Sequence, residues 1–321
     1  MNGRFEEMLR EADSVCILGH ISPDGDCLGS TLGLYTYLQN RYPEKKAQVY
    51  LEEPSPKFAF LNGFDSIQTE NSTEQTYDLC IVCDCADDRR LGKFRKYLTR
   101  AKASFLVDHH ITNSGFCDEN VIEAGASSAS ELVYTLIDVR YFDRKLAECI
   151  YTGIIHDTGV FKYNCTGRRT MEIATLCMET GIGFGDIIDK TFYSMEFQAK
   201  KLLGQVLAGM SRELDGRIVY CTLDRKTMNE AGITCSRDTD GFIDNIRTTD
   251  GALGAAFFYQ LPDGSYKASL RSNTQALDVS AIAAKHDGGG HRPAAGCTLR
   301  GDIQAGIRGI LKEMKEQLSE Q

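Results

Sequence analysis

Short apolar runs, each closed by a polar residue able to do chemistry, recur through the first half of the chain. Residues 14–19 (SVCILG), 47–51, 78–84 (DLCIVCD) and 104–107 (SFLV) read as strands. Continuous apolar runs of this length, bounded by turn residues, fit strands covered on both faces. Helical patterns predict helices over 1–13, 27–42, 127–139, 143–156 and 169–181. Strands alternating with helices through residue 160 predict a largely parallel sheet. Residues 54–76, rich in Pro, Asn, Ser and Thr, read as loop.

The pattern changes in the second half. A helical stretch over 184–214 is interrupted near 193–196, and the long helix after the break is the expected connector. A strand over 217–223 follows, then short helices over 225–231 and 241–247. Residues 252–260 and 265–271 alternate apolar with polar around Pro262-Asp263-Gly264, a strong hairpin signal. Helices over 279–285 and 302–318 flank a glycine-rich stretch. The expected fold is α/β, with a mainly parallel-sheet N-terminal domain and a smaller C-terminal α/β domain. The boundaries read as a first domain over 1–192, a helical connector over 193–214 and a second domain over 215–321. A length of 321 residues suits about two domains.

Composition narrows the function. The net charge of -9 argues against coating long nucleic acid, yet allows a small phosphorylated substrate held by metals. No apolar run approaches the ~20 residues of a membrane span. The N-terminal stretch MNGRFEEMLREADSV is charged and has no apolar signal core, so the cytoplasm is the expected compartment. There the twelve cysteines are expected to be reduced, most of them as buried small hydrophobes. Cys80, Cys83 and Cys85 share one apolar strand whose side chains alternate in direction, so no zinc site is expected there. Seven Lys or Arg and no acid between 89 and 107 read mainly as a solvated face.

The candidate chemistry lies at the ends of these elements. His20, Asp24 and Asp26 follow the first strand in the spacing H-x-x-x-D-x-D, with Pro23 stiffening the loop and Gly25 letting the backbone pass closely. Either Asp alone would be an ordinary helix N-cap. Both together, behind a His, ask for more. Asp84 closes another strand, Asp108-His109-His110 closes the next, and Asp157 closes the helix over 143–156. In an open α/β sheet such ends meet in one crevice. Converged carboxylates repel one another without cations, and carboxylate with imidazole suits Mn²⁺, Fe²⁺ or Zn²⁺ better than Ca²⁺. The donors suffice for two ions, and a pair ~3.5–4 Å apart is the usual device for phosphoester hydrolysis. In the second half, Gly288, Gly289 and Gly290 permit close backbone approach to an anion, or else form a turn. Neighbouring His291 and Arg292, with Arg271 at a strand end, favour the anion site.

The motifs GHISPDGD, IVCDCAD, VDHH, HDTG and GGGHRPAAG, in this order, resemble the DHH phosphoesterase superfamily with its DHH-associated C-terminal domain. Length and order resemble the branch of NrnA-type nanoRNases and phosphoadenosine-phosphate phosphatases. The resemblance implies two divalent ions, usually Mn²⁺. The first would be held by His20, Asp24 and Asp84, the second by Asp26, Asp84, His109 and Asp157, with Asp84 bridging. It further implies that Asp108 orients an imidazole and that His110 contacts the scissile phosphate. Arg271 and the Gly288, Gly289, Gly290 and His291 loop would grip the substrate's far end, in an active-site cleft between the domains. His156 departs from the pattern, where a small or hydroxyl residue is expected; it reads as a packed or hydrogen-bonded histidine outside the ligand set.

The expected activity is hydrolysis of short RNA to 5′-mononucleotides, with 3′-phosphoadenosine 5′-phosphate as a second substrate. Other readings are a phosphodiesterase of pApA or cyclic di-AMP and, outside catalysis, a nucleotide-binding sensor. A processive exonuclease needs a basic, aromatic-lined groove, which an acidic chain without Trp does not suggest. Edge strands leave pairing into a homodimer open.

Overall fold

The computed structural model describes residues 3–70, 74–233, 239 and 241–319. Its contacts divide the chain into two compact units, Met1–Ser194 and Met195–Gln321. Among the described residues no helix is long and apolar enough to cross a membrane.

The first unit holds α1 (Gly3–Glu11), β1 (Ser14–Leu18), α2 (Gly25–Arg41), β2 (Lys46–Tyr50), β3 (Leu79–Cys83), α3 (Arg95–Arg100), β4 (Ala103–Asp108) and β5 (Glu119–Ile122). The helices α4 (Ala129–Leu136), α5 (Arg144–Asp157), α6 (Arg168–Glu179) and α7 (Phe184–Ile188) complete it. The five strands form one parallel sheet in the order β2-β1-β3-β4-β5. The order reverses direction between β1 and β3, so the loops leaving the carboxyl ends of those strands part there and open a crevice.

Period-two alternation sorts the strand side chains. Val15, Ile17, Ile81, Cys83, Phe105 and Val107 enter the core shared with α1, α2 and α5. Cys16, Leu18, Cys80, Val82 and Leu106 meet Tyr50, Tyr77, Phe94 and Tyr97 on the other face. Cys80 and Cys83 thus lie in different cores, and the eleven described cysteines are free.

Helix α2 starts where Asp24 accepts from the backbone N–H groups of Asp26 and Cys27, both at 3.1 Å. It then runs unusually close to α5. Gly25, Gly29 and Gly33 recur every four residues and so line one face. A Cβ at Gly29 would stand 2.6 Å from the Cys149 carbonyl oxygen and 2.7 Å from Gly153 N. The glycine row therefore sets the depth of the seam that brings the start of α2 to the end of α5. Asp143 caps α5 by accepting from Leu146 N at 2.9 Å, and Ser128 caps α4 by accepting from Glu131 N at 3.0 Å.

The second unit holds α8 (Phe197–Ala208), β6 (Ser211–Glu213), β7 (Ile218–Leu223), α9 (Arg225–Glu230), α10 (Phe242–Arg247), β8 (Gly254–Gln260) and β9 (Tyr266–Ser272). It continues through α11 (Val279–Ala284), β10 (Gly289–His291), β11 (Ala294–Leu299) and α12 (Ile303–Ser319). Its mixed sheet runs β10-β11-β9-β8-β7-β6, and β8 pairs with β9 as the hairpin signal predicts. Leu277, Ile282, Ile310 and Met314 cover one face; Leu202, Val206, Phe242 and Ile246 cover the other.

Two expectations need correction, and one strand, β5, has no counterpart in the apolar pattern. The helical stretch over 184–214 is α7, one π-type turn and α8, and it ends at Gly209, after which Ser211–Glu213 pairs antiparallel with β7. Helix α8 buries Ala199, Leu202 and Val206 in the second unit's core. Strand β5 carries only four residues, two of them polar, too few to show an apolar run. Residues 289–291, expected in a loop, are an edge strand paired with β11. The basic run over 89–107 is balanced by acids outside it: Arg95 meets Asp88, Arg100 meets Glu74, and Lys102 meets Asp78 at 2.7 Å.

Candidate active site

The crevice at the carboxyl ends of β1, β3 and β4 gathers the acids and imidazoles of the first unit. His20 follows β1 and is buried; its Nδ1 hydrogen-bonds the Ile21 carbonyl oxygen at 2.7 Å. That bond fixes the ring and points Nε2 at Asp84 Oδ2, 3.4 Å away, and Asp24 Oδ1, 3.6 Å away. Asp84 follows β3 with φ at +51°, a left-handed conformation disfavoured for a residue with a Cβ. The strand-like bond from Asp84 N to the Val107 carbonyl oxygen, 3.0 Å, holds it there. Strain of this kind, about 1–2 kcal/mol, persists where the surroundings over-determine a conformation.

The other oxygen of Asp84 faces the far side of the cluster. Oδ1 lies 3.6 Å from His109 Nε2 and 3.7 Å from His110 Nδ1. His109 Nε2 is also 2.9 Å from Asp157 Oδ2 at the end of α5, and 3.9 Å from Asp26 Oδ2. Asp84 thus stands between two groups of donors, one oxygen to each.

Asp26 is fully buried and held from behind. The first amides of α4 point at it, Ala129 N at 2.6 Å from Oδ2 and Ser130 N at 2.9 Å from Oδ1. These N–H groups would otherwise be orphans of a helix start. Asp108 is buried beside the cluster: its Oδ1 is 2.8 Å from His110 Nδ1, and its Oδ2 accepts from Asn113 Nδ2 at 2.6 Å. Asn113 also donates to the Cys85 carbonyl oxygen at 3.0 Å.

The electrostatics are those of acids and imidazoles buried together. Burial alone would lower the basicity of His20, but Asp24 and Asp84 outweigh it and lift the imidazole to about 10. Burial likewise opposes Asp157 and Asp84 at His109, which rises to about 12. Burial, then the charges of Asp157 and Asp84, push Asp26 well above the carboxylate range. Burial lifts Asp157 to about 6.

The donors fit a cation. Asp84 Oδ1 and His109 Nε2 are buried atoms without a hydrogen-bond partner. The two atoms stand 3.6 Å apart, with Asp157 Oδ2 2.9 Å from the same nitrogen. Buried polar atoms left this way are costly unless something positive sits between them. Three groups of donor atoms lie within 4.8 Å of one another: His20, Cys27 and Asp84; Asp84, His109 and His110; Asp26, His109 and Asp157.

The sequence model of the DHH family, N-terminal domain, matches residues 14–154, and that of the DHHA1 domain matches residues 215–320. The chain belongs to the DHH family. It is accordingly a phosphoesterase-type hydrolase. It is 28% identical over 294 residues to a Bacillus subtilis protein named bifunctional oligoribonuclease and PAP phosphatase NrnA, covering 89% of this chain and 90% of that one. A Thermus thermophilus protein of the same name is 27% identical over 322 residues, covering 98% and 93%. An exopolyphosphatase-related protein from Bacteroides fragilis has the same fold at a TM-score of 0.89, with 25% identity and coverage of 98% and 95%.

The acids and imidazoles expected in the first half, His20, Asp24, Asp26, Asp84, Asp108, His109, His110 and Asp157, lie in this one crevice. Asp24 is at once a helix cap and a member of the cluster, so the two readings of it coexist. His156 lies just outside. Its ring stands 5.1 Å from Phe58 and 4.5 Å from Phe192, between centroids, and fills the space beside Gly25. The second unit carries the remaining candidates. Arg271 on β9 is half-buried, 3.9 Å from Asp244. A Cβ at Gly288 would stand 2.3 Å from the Gly296 carbonyl oxygen, and one at Gly290 2.6 Å from that of Ala294. Those two glycines are needed for the β10–β11 pairing. Gly289 has open space, and with His291 it lies exposed on the sheet edge.

The sequence reading missed three contributors. The α4 amides on Asp26 are backbone groups with no side-chain signature. Asn113 lies five residues beyond Asp108, in a turn that reads as ordinary loop. Cys27 looks like one more apolar position on α2.

Proposed function

We propose that this DHH protein is a two-metal phosphodiesterase that releases 5′-mononucleotides from very short RNA, and that it also removes the 3′-phosphate of 3′-phosphoadenosine 5′-phosphate. The observation that carries the reading is the position of Asp84, with one oxygen toward His20 and the other toward His109. The names of the NrnA relatives support the substrate class.

In this reading His20, Asp24 and Asp84 would hold one Mn²⁺, and Asp26, Asp84, His109 and Asp157 would hold the other. Bound ions supply an activated nucleophile and neutralise charge at phosphorus. The chain's own groups do the rest. The α4 amides and the α2–α5 seam keep Asp26 and Asp157 from swinging apart as protons leave. Asp108 accepts from His110 Nδ1–H, which leaves Nε2 to face a phosphate oxygen and carry a proton toward the leaving group. That hydrogen bond, against burial, raises the basicity of His110 and favours the protonated form such a donor needs. Residues 1–192 form the catalytic domain, and Arg271, Gly288, Gly289, Gly290 and His291 in residues 215–321 bind the substrate's far phosphate.

A Mn²⁺-supported assay on a 5′-phosphorylated diribonucleotide, a long single-stranded RNA, 3′-phosphoadenosine 5′-phosphate and cyclic di-AMP tests this. Preference for RNA of about two to five nucleotides is expected from a site that admits few residues. Cleavage of long RNA as fast as the dinucleotide contradicts it, and faster turnover of cyclic di-AMP moves the role to signalling nucleotides.

A further inference from the structure

One donor at the site has no part in this reading. Cys27 lies in the first turn of α2 and is fully buried, and its Sγ, His20 and Asp84 present donor atoms within 4.8 Å of one another. The sulfur is pinned under the end of β1: a Cβ at Gly19 would stand 2.3 Å from it. On the metal side, His20 Nε2 is freed by the bond its Nδ1 makes to the backbone.

We propose that Cys27 is a soft donor to the cation held by His20 and Asp84, recruited by thiophilic dications such as Zn²⁺ and left idle by Mn²⁺. The proposal rests on the metal reading above. Imidazole and carboxylate serve many divalent ions, whereas a thiolate selects the softer ones. With Zn²⁺, the donors His20, Asp24, Asp84 and Cys27 number four. Four protein ligands make a closed tetrahedral site, while a catalytic zinc keeps one position open. Zn²⁺ therefore occupies the site in an inactive form. The step is a ligand exchange: the S–H bond breaks, a bond from sulfur to the metal forms, the proton passes to solvent, and no electron is transferred. Zn–N near ~2.1 Å and Zn–S near ~2.3 Å bring donors on one ion within about 4.4 Å, so binding draws the group slightly inward.

The test uses the full chain stripped of metal and titrated with Co²⁺, whose spectrum reports a thiolate ligand. The wild-type protein should show a thiolate-to-metal charge-transfer band in the near ultraviolet. Cys27→Ala and Cys27→Ser should lose it and keep the visible ligand-field bands. Zn²⁺ affinity should fall about 10–100-fold in Cys27→Ala, at least as much as the loss of an outer partner costs, with a much smaller change for Mn²⁺. Ligand-field bands without charge transfer in the wild type, or a charge-transfer band that survives both substitutions, would overturn the role of Cys27 and leave the metal centre standing. No Co²⁺ spectrum at all would overturn the metal reading as well.

Discussion

Asp84 is the residue on which the site turns, because its two oxygens address different partners. Asp84→Asn keeps the size and removes the charge. Turnover should fall by more than about a hundredfold, beyond the loss typical of an outer-sphere partner, and the bound metal per chain should drop below two. Full Mn²⁺ content with intact turnover would show that Asp84 bridges nothing. His156 makes a separate prediction. Burial holds its imidazole neutral down to about 4, with Lys57 adding to the effect, against an ordinary value of 6.5. Between those values the unfolded chain binds the proton and the folded one does not. The folded state is therefore favoured above pH 6.5 and loses stability as pH falls toward 4, by up to about 3 kcal/mol. His156→Phe, which suits the slot between Phe58 and Phe192, should flatten the dependence of Tm on pH across that window. An unchanged slope would place the titration elsewhere.

At the scale of elements, the α2–α5 seam is what brings Asp26 and Asp157 into one crevice. Gly29→Ala must push against the Cys149 carbonyl oxygen and the Gly153 backbone. It should cost about 1–3 kcal/mol, as overpacked cores do, and weaken metal binding too. Gly204→Ala in α8 is the control, since a Cβ there meets nothing within 4 Å. It should be neutral or stabilise by up to about 1 kcal/mol through helix propensity. Thermal melts of the two variants with and without Mn²⁺ compare them directly, and equal effects would remove the seam from the account. The seam also shows what was readable. His20, Asp84, Asp108, His109, His110 and Asp157 were legible because they close apolar runs or a periodic helix, and Asp24 and Asp26 because they follow His20 in one short loop-to-helix spacing. The parallel order followed from alternation. Strand β5 is short and half polar, and Ser211–Glu213 is polar throughout, so neither announced itself. Gly288 and Gly290 read as room for an anion, and the close β10–β11 pairing adds a second need for glycine there. The amides that hold Asp26 belong to Ala129 and Ser130, whose side chains say nothing about that task.

For the whole molecule, metal and protons compete for one cluster. In the metal-free protein His20 and His109 are raised to about 10 and about 12, so their protonated forms contribute stability below pH 6.5. That contribution is lost as pH rises toward 10 and beyond. Metal binding has the opposite dependence, because the imidazoles must lose their protons first. Mn²⁺ should therefore raise Tm more at pH 9 than at pH 6, and binding near neutral pH should release at least about two protons per chain, measured by calorimetry in buffers of different ionisation enthalpy. A stabilisation independent of pH, with no proton release, would mean that Mn²⁺ binds outside this cluster. The most direct test of the two-metal site is anomalous diffraction from crystals of the full chain grown with Mn²⁺. The account predicts two peaks in the first unit, one against His20 and Asp24 and one against Asp26, His109 and Asp157, with Asp84 touching both. A single peak, or two peaks that Asp84 does not join, would contradict it.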